Sequence, residues 1–187
     1  PYFLFVGRLE RIKGLDTVIP IFARYPDADL LVVGDGEQAT ALKALAAGIP
    51  SVRFVGTVPN AELDRYYRHA IATIVPSVGF ETFGIVIIEA FRSQTPVIAR
   101  RIGPFPEILA QSGAGELFAT DDELVAAMRR LQSVSPDRRV ELGARAYRAC
   151  RDRWSEDVVV GRYLDLVTQA AHERVARRGV APPDWVG

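Results

Sequence analysis

The sequence predicts an α/β fold: a Rossmann-like open parallel sheet of about six strands flanked by helices, with extra C-terminal helices. Two observations predict it. Short apolar runs of about five residues alternate with amphipathic segments over the first 120 residues, and these runs are continuously apolar, as in strands covered on both faces. Beyond residue 120 only helical patterns continue.

Strands are predicted at residues 2–6, 29–33, 51–55, 71–75 and 96–99, with a weaker sixth strand at 115–118. The helices predicted between them span residues 15–25, 37–47, 60–69, 84–93 and 106–110. We expect Asn60 to cap the third helix and Pro20 to kink or interrupt the first. Strands and helices that alternate at this spacing indicate right-handed crossovers and a parallel sheet.

Three further helices are predicted at residues 121–132, 137–153 and 156–177, with Ser135 and Ser155 as caps. The sequence predicts a single domain over residues 1–187, with a core over about 1–153, a terminal helix over 154–178 and a tail over 179–187. We expect that tail to be extended, because it contains Pro182 and Pro183. Since the chain opens directly in a strand, we also expect that an upstream segment has been removed.

The composition is that of an ordinary globular protein. Of the 187 residues, 49% are hydrophobic and 25% are charged, within the usual range for folded domains. The 23 basic and 23 acidic side chains give zero net charge, which argues against a nucleic-acid partner, and no apolar run approaches the length of a membrane span. The single cysteine, Cys150, lacks neighbours at metal-ligand spacing, and we interpret it as structural.

A local excess of positive charge lies in the C-terminal part, where residues 129–153 hold eight arginines against three acids. We interpret this segment as a solvated helical face. The alternative is a surface for anionic lipid or a partner protein. We therefore expect a cytoplasmic protein, with peripheral contact at the inner face of the membrane as the open alternative.

In an open parallel sheet, ligands bind beyond the carboxyl ends of the strands, so the loops that follow the strands are the candidate sites. The loop after the first strand contains Gly7, Arg8 and Lys13. Gly7 allows a sharp exit from the strand, and the planar fork of Arg8 with the compact charge of Lys13 suits a diphosphate. Two solvated surface cations are the alternative that these residues leave open.

The segment 34–39, after the second strand, matches the G-x-G-x-x-G/A pattern of dinucleotide-binding folds. That pattern belongs after the first strand of such a unit, and the acidic residue expected about 20 positions later is missing. We therefore interpret the segment as a tight strand-to-helix turn. The turn at Gly56, Thr57 and Val58 offers backbone groups that can bind the edge of a base.

The loop after the fourth strand leads into an apolar helix. The amides of Phe83, Gly84 and Ile85 begin that helix, where donor geometry and the helix dipole favour phosphate. Glu89 lies in an apolar run, where a carboxylate costs several kcal/mol unless it finds partners such as ribose hydroxyls. A glycosidase pair of Glu81 and Glu89 is disfavoured, because eight helical residues span roughly 12 Å and such pairs need about 5 to 9.5 Å.

Taken in order, these motifs resemble the C-terminal, donor-binding domain of retaining glycosyltransferases of the GT-B fold, the glycogen-synthase and mannosyltransferase group (glycosyl transferases group 1). The resemblance covers roughly residues 1–170. The loop 101–107 departs from it, because its residues are bulkier than those of the family's glycine-rich turn. The matching features are Gly7-Arg8-Leu9 with Lys13-Gly14, the loop 54–58, the framing segments 75–77 and 95–99, and the E-x7-E motif from Glu81 to Glu89.

The resemblance implies a role for each matched residue. Arg8 and Lys13 would bind the donor diphosphate and stabilise charge on the leaving nucleotide, and Glu81 would bind the hydroxyls of the donor sugar. Glu89 would bind the ribose hydroxyls, and the Val58 backbone the base. The remaining donor-binding positions are Gly7, Thr82, Phe83, Gly84 and Ile85. The resemblance implies no cofactor and no metal, because the two cations take the metal's place.

The implied reaction is the retaining transfer of a sugar from a nucleoside-diphosphate sugar to a glycan, glycolipid or small-molecule acceptor. In this family the acceptor binds to an N-terminal domain of the same parent chain, and the terminal helix crosses back onto that domain. We therefore expect the isolated domain to be inactive. A non-catalytic nucleotide-binding or assembly module with the same fold is the alternative, and an NAD(P) enzyme that uses the segment 34–39 is a third, disfavoured one.

Overall fold

The computed structural model of the chain describes residues 1–79 and 81–178, with side chains as far as residue 174. Within these residues one parallel sheet is formed, in the spatial order β3-β2-β1-β4-β5-β6. Its strands are β1 (Tyr2–Val6), β2 (Asp29–Val33), β3 (Val52–Gly56), β4 (Thr73–Val75), β5 (Val97–Arg100) and β6 (Gly115–Phe118). The predicted fold class is confirmed, and the strand order reverses between β1 and β4.

Helices connect the strands and continue after them. They are α1 (Leu15–Phe22), α2 (Ala39–Leu45), α3 (Asn60–His69), α4 (Ile85–Arg92), α5 (Phe105–Ser112), α6 (Asp121–Gln132), α7 (Pro136–Ala149) and α8 (Glu156–Arg178). A 3-10 turn over Arg11–Lys13 precedes α1, and a π-helical turn over Cys150–Trp154 precedes α8. Two compact units result, Pro1–Cys150 and the chain from Arg151 onward. The predicted extended tail at 179–187 lies outside the described residues.

The predicted elements are present, and the differences lie at their ends. Asn60 is the first residue of α3 and not its cap, because Pro59 holds the preceding, non-helical position. Pro20 lies inside α1, and that helix ends two residues later at Phe22 instead of residue 25. The helix predicted at 137–153 ends at Ala149, where the chain widens into the π-helical turn.

The caps of the C-terminal helices follow the prediction in part. The Ser135 side chain caps α7 by accepting a hydrogen bond from the Arg138 amide, as predicted. Thr120, which was not predicted, caps α6 in the same way by accepting from the Glu123 amide. The Ser155 hydroxyl instead donates to the Arg151 carbonyl, 2.8 Å away.

The core of the first unit surrounds the central strands. Phe3, Phe22 and Tyr25 pack ring against ring beside β1, with centroids 6.1 to 6.3 Å apart. The expectation that every strand is covered on both faces is wrong for β3, where burial alternates along the strand and Val55 is exposed. At this edge of the sheet, where β3 has β2 as its one neighbour, one face of the strand is left uncovered.

Several of the arginines in residues 129–153 form ion pairs or donate hydrogen bonds to backbone carbonyls. Arg138 and Arg145 both pair with Glu141, while Arg139 donates to the backbone carbonyls of Ile71 and Leu131. No helix within the described ranges is both long enough and apolar enough to cross a lipid bilayer.

Cys150 is buried, and its Sγ lies 3.8 Å from the Ile88 carbonyl oxygen. Burial raises the pKa of its thiol, and the nearby charge of Arg92 opposes that shift. A buried thiol with a raised pKa is a poor nucleophile, which agrees with a structural role.

Candidate functional site

A cleft of about 340 Å³ lies at the carboxyl end of the sheet, next to the strand-order reversal. Its walls are the end of β1 with the loop that follows, the loop after β4, and the first turns of α3 and α4. The predicted site residues that line it are Gly7, Arg8, Lys13, Glu81, Gly84, Ile85 and Glu89. The loops after β1 and β4, separate in sequence, therefore form one concave surface.

These two loops also contact each other directly. The amide of Val78 donates to the carbonyl of Ile12 across a distance of 2.9 Å. Gly14 ends the 3-10 turn in a left-handed conformation with φ of 66°, and a Cβ there would collide with the Pro76 carbonyl oxygen. Glycine at position 14 thus lets the turn that carries Lys13 approach the loop after β4.

Lys13 and Glu81 form an ion pair inside the cleft. The Lys13 Nζ lies 2.7 Å from Glu81 Oε1, and the hydroxyl of Ser77 donates to the same oxygen at 2.7 Å. Ser77 is buried, whereas 30% of the Lys13 side chain and 15% of the Glu81 side chain are exposed. Two donors therefore fix the orientation of one carboxylate whose second oxygen remains able to accept hydrogen bonds. Sequence reasoning included Ser77 only in the framing segment 75–77 and assigned it no role, since a serine in a loop does not by itself indicate a contact.

Arg8 lines the same cleft but forms its ion pair with a different glutamate, Glu10. Its guanidinium lies 2.5 Å from Glu10 Oε1, and 79% of its side chain is exposed. Exposed ion pairs of this kind contribute about 0 to 1 kcal/mol, so Arg8 can turn toward an anion at small cost. Arg8 and Lys13 therefore line the same cleft, while each is paired with its own glutamate.

Glu89 has a buried partner on the neighbouring helix. The hydroxyl of Tyr67 donates to Glu89 Oε2 at 2.8 Å, and only 2% of Tyr67 is exposed. Burial raises the pKa of Tyr67, and the charge of Glu89 raises it further, so the hydroxyl stays protonated at neutral pH. Thr95 Oγ1 donates to the Tyr67 carbonyl at 2.7 Å and anchors this end of α3. The hydrogen bond from Tyr67 explains how the carboxylate of Glu89 is accommodated in an apolar helix.

A second depression, of about 380 Å³, lies between α3 and α4. It shares Asn60, Leu63, Ile85 and Glu89 with the first cleft, so Glu89 lies where the two meet. At its far side Ser93 Oγ donates to Asp64, 2.9 Å away. The cleft is thereby extended along the surface between the two helices.

The start of α4 depends on glycine. Gly84 precedes the helix with φ of 87°, and a Cβ there would lie 2.5 Å from the Phe105 ring. The first amides of an α-helix have no partner within that helix, and here Gly84 and Ile85 line the cleft. Thr82 and Phe83 are exposed beside it and are not among the residues found to line it.

The predicted base-binding residue Val58 is half-buried in the turn after β3. The residues found to line the cleft from this side are Asn60 and Leu63, the first and fourth residues of α3, and Val58 is not one of them. Sequence reasoning treated Asn60 only as a cap and so missed its position at the cleft.

The segment 34–39 forms the predicted tight turn. A Cβ on Gly34 would collide with the Gly7 carbonyl oxygen, and one on Gly36 would lie 2.7 Å from backbone atoms of Leu9. The Leu9 amide donates to the Asp35 carbonyl, and the Gln38 amide donates to the Leu9 carbonyl. The loop after β1 thus packs closely against this turn and accepts a hydrogen bond from the Gln38 amide at the start of the following helix. Across the described ranges, no cluster of three or more His, Cys, Asp or Glu side chains is arranged to hold a metal ion.

A doubly wound parallel sheet with a cleft at its switch point is the arrangement in which open α/β proteins bind their ligands. The family model for glycosyl transferases group 1 matches residues 1–149, and the chain belongs to this family. The chain is 34% identical over 200 residues to a D-inositol 3-phosphate glycosyltransferase of Acidothermus cellulolyticus, covering 94% of this chain and 44% of that protein. The resemblance inferred from the motifs is confirmed.

Solved structures of GT-B glycosyltransferases share the fold. Sucrose-phosphate synthase from Thermosynechococcus elongatus matches with a TM-score of 0.80 and 27% identity, covering 91% of this chain and 45% of that one. Anabaena HepE in complex with UDP-glucose matches with a TM-score of 0.78 and 20% identity, covering 90% of this chain and 49% of that one. The chain thus spans less than half the length of these relatives.

Proposed function

We propose that the chain is the donor-binding domain of a retaining glycosyltransferase and that its cleft holds a nucleoside-diphosphate sugar. One observation carries this proposal: Arg8, Lys13 and the start of α4 line a single cleft at the switch point of the sheet. Cations and free helix amides together are the arrangement that favours a diphosphate. Family membership supports the same conclusion, as does the UDP-glucose that the similar Anabaena protein binds.

The contacts suggest how the site works. When the bond between sugar and diphosphate breaks, negative charge grows on the β-phosphate, and preorganised donors aimed there stabilise the transition state. Lys13 would exchange Glu81 for that phosphate, while Ser77 keeps the carboxylate in place to accept hydrogen bonds from sugar hydroxyls. Glu89, with one oxygen occupied by Tyr67, would accept from the ribose hydroxyls.

We further propose that the two cations replace a metal ion in this reaction. Arg8 and Lys13 provide two positive charges at the cleft. A divalent ion would stabilise the negative charge of a leaving diphosphate in the same way. Nucleotide binding should accordingly be the same with and without EDTA.

The acceptor site is proposed to lie on an N-terminal domain of the same parent chain, and the isolated chain to be inactive. Helix α8, considered by itself, supports this proposal because several large apolar side chains on it are exposed. These side chains are Val159, Val160, Tyr163, Leu164 and Leu166. An apolar helix face of this size suits packing against another domain.

Isothermal titration of the chain with UDP, GDP, ADP and their sugar derivatives tests the central proposal. One nucleotide class should bind, and Lys13→Ala should weaken that binding by about tenfold or more, because a charge-assisted contact is lost. Lys43→Ala is the matched control, since Lys43 lies over the Phe54 ring and does not line the cleft.

Two results would contradict the proposal: binding of no nucleotide, or equal affinities in the two lysine variants. Nucleotide binding without any glycosyl transfer by the full parent chain would favour the non-catalytic module instead.

A further inference from the structure

Arg100, at the end of β5, joins the start of α1, next to the turn that carries Lys13, to the loop that carries Glu81. Its Nε donates to the Pro76 carbonyl at 3.0 Å, and one terminal nitrogen donates to Thr17 Oγ1 at 2.9 Å. The guanidinium lies over the Phe118 ring, 4.8 Å from the centroid. The half-buried side chain is therefore held in one orientation by contacts in three directions.

The other terminal nitrogen of Arg100 donates to the Ala119 carbonyl at 3.5 Å, away from the cleft. The contacts to Pro76 and Thr17 each lead to one side of the cleft. Thr17 Oγ1, which accepts from Arg100, donates to the Gly14 carbonyl at 2.8 Å, and Gly14 directly follows Lys13. On the other side, Pro76 directly precedes Ser77, whose hydroxyl holds Glu81. Arg100 is thus two hydrogen bonds from the turn that carries Lys13 and one from the loop that carries Glu81.

This double contact requires the shape of arginine. The guanidinium is planar and presents donors at fixed angles, so one side chain can bind an acceptor in α1 and an acceptor in the loop after β4 at once. A lysine ammonium on a flexible stem is a point charge and would not hold both acceptors in a fixed relation. Arg100 is not among the residues found to line the cleft, so its effect on a ligand there must pass through the loops.

We propose that Arg100 is a positioning residue that sets the spacing of Lys13 and Glu81, and thereby the affinity of the cleft for a nucleoside diphosphate. The identity of the ligand in this inference rests on the proposed function. The geometry that Arg100 imposes on the two sides of the cleft does not.

Arg100→Lys tests the proposal, with Arg139→Lys as the matched control. Arg139 is also half-buried and also bridges two acceptors, the carbonyls of Ile71 and Leu131, at 3.1 and 2.8 Å. Ile71 precedes β4, so Arg139 lies at the opposite end of the sheet from the cleft. Both variants should unfold at lower temperature, whereas only Arg100→Lys should bind the nucleotide about tenfold more weakly while it is still folded.

Thr17→Val tests the hydrogen bond between Arg100 and Thr17 from its other end. It keeps the shape of the side chain but removes the hydroxyl that links Arg100 to Gly14. It should weaken nucleotide binding as well. In the double variant Arg100→Lys with Thr17→Val, the fold-loss of nucleotide affinity should be smaller than the product of the fold-losses in the two single variants. Nucleotide affinities that match in Arg100→Lys and Arg139→Lys, or independent losses in the double variant, would overturn the proposal.

Amide hydrogen exchange at Val78 measures loop spacing without any ligand. The Val78 amide is bonded to the Ile12 carbonyl across the two loops, so its exchange should accelerate in Arg100→Lys and not in Arg139→Lys. If the unaltered chain binds no nucleotide, the proposed function fails, and this exchange rate still decides whether Arg100 holds the loops. Unchanged exchange in Arg100→Lys would refute the positioning role in either case.

Discussion

Two glutamates in the cleft each have one oxygen already occupied by a partner. Glu81 accepts from Lys13 and Ser77, and Glu89 accepts from Tyr67. An ionised carboxylate can only accept hydrogen bonds, so the capacity that remains on each glutamate suits a ligand that offers donors. The hydroxyls of a sugar or a ribose are such donors, and this chemistry agrees with the proposed nucleotide-sugar ligand.

Tyr67→Phe is the sharpest single test at the residue scale. The ring remains, but the donor that orients Glu89 is removed, so nucleotide binding should weaken by about three- to tenfold. Titration calorimetry measures the change. Tyr25→Phe is the control, because Tyr25 is equally buried and its hydroxyl binds Gln132 away from the cleft. Similar losses of thermal stability with equal nucleotide affinity in the two variants would show that Tyr67 is only structural.

At the scale of elements, the connection from β4 to α4 contributes most to the cleft. It supplies Ser77 and Glu81 from its loop, and Gly84 and Glu89 from the start and body of the helix. Gly84 combines a left-handed backbone with close contact to the Phe105 ring of α5. The placement of the α4 N-terminus therefore depends on one position where any side chain is excluded for two reasons.

Gly84→Ala and Gly48→Ala separate these two reasons. Their φ angles are 87° and 86°, but a Cβ at Gly48 would meet nothing within 4 Å. Both variants should lose about 1 kcal/mol of unfolding free energy from the left-handed backbone. Gly84→Ala should lose a further 1 to 3 kcal/mol, roughly, from overpacking against Phe105. Urea denaturation measures both losses, and equal values would mean that the Phe105 ring moves aside without cost.

At the scale of the whole molecule, the cleft belongs to one compact unit. Every residue found to line it lies between Phe5 and Phe105, within the unit Pro1–Cys150. The helix α8 belongs to the other unit and carries its own exposed apolar side chains. The proposed donor cleft and the helix proposed to pack against a further domain thus belong to different parts of the chain.

A chain that ends at Ser155 should accordingly keep its nucleotide affinity within about twofold of the intact chain, since no lining residue is removed. Titration of the shortened and intact chains with the same nucleotide measures this, with circular dichroism as the check on folding. A folded, shortened chain that no longer binds would show that α8 contributes to the cleft.

Much of the fold follows from local pattern. The order of strands and helices and the position of the switch-point loops were predictable, because continuous apolar runs and glycine-bearing turns are properties of neighbouring residues. The exposure of one face of β3 was not predictable, because it depends on the position of β3 at the edge of the sheet. The lining position of Asn60 in place of Val58 likewise depends on how α3 leaves the sheet.

The sequence by itself determined which chemistry is available: the cations Arg8 and Lys13, the acids Glu81 and Glu89, and the glycine before α4. Only the tertiary structure decided which groups meet. Lys13 and Glu81 are 68 residues apart, and Arg100 and Thr17 are 83 apart. Contacts over such separations arise when packing of the whole sheet brings loops together, and side-chain hydrogen bonds require atoms to meet within about 3 Å, which no local pattern of residue types specifies.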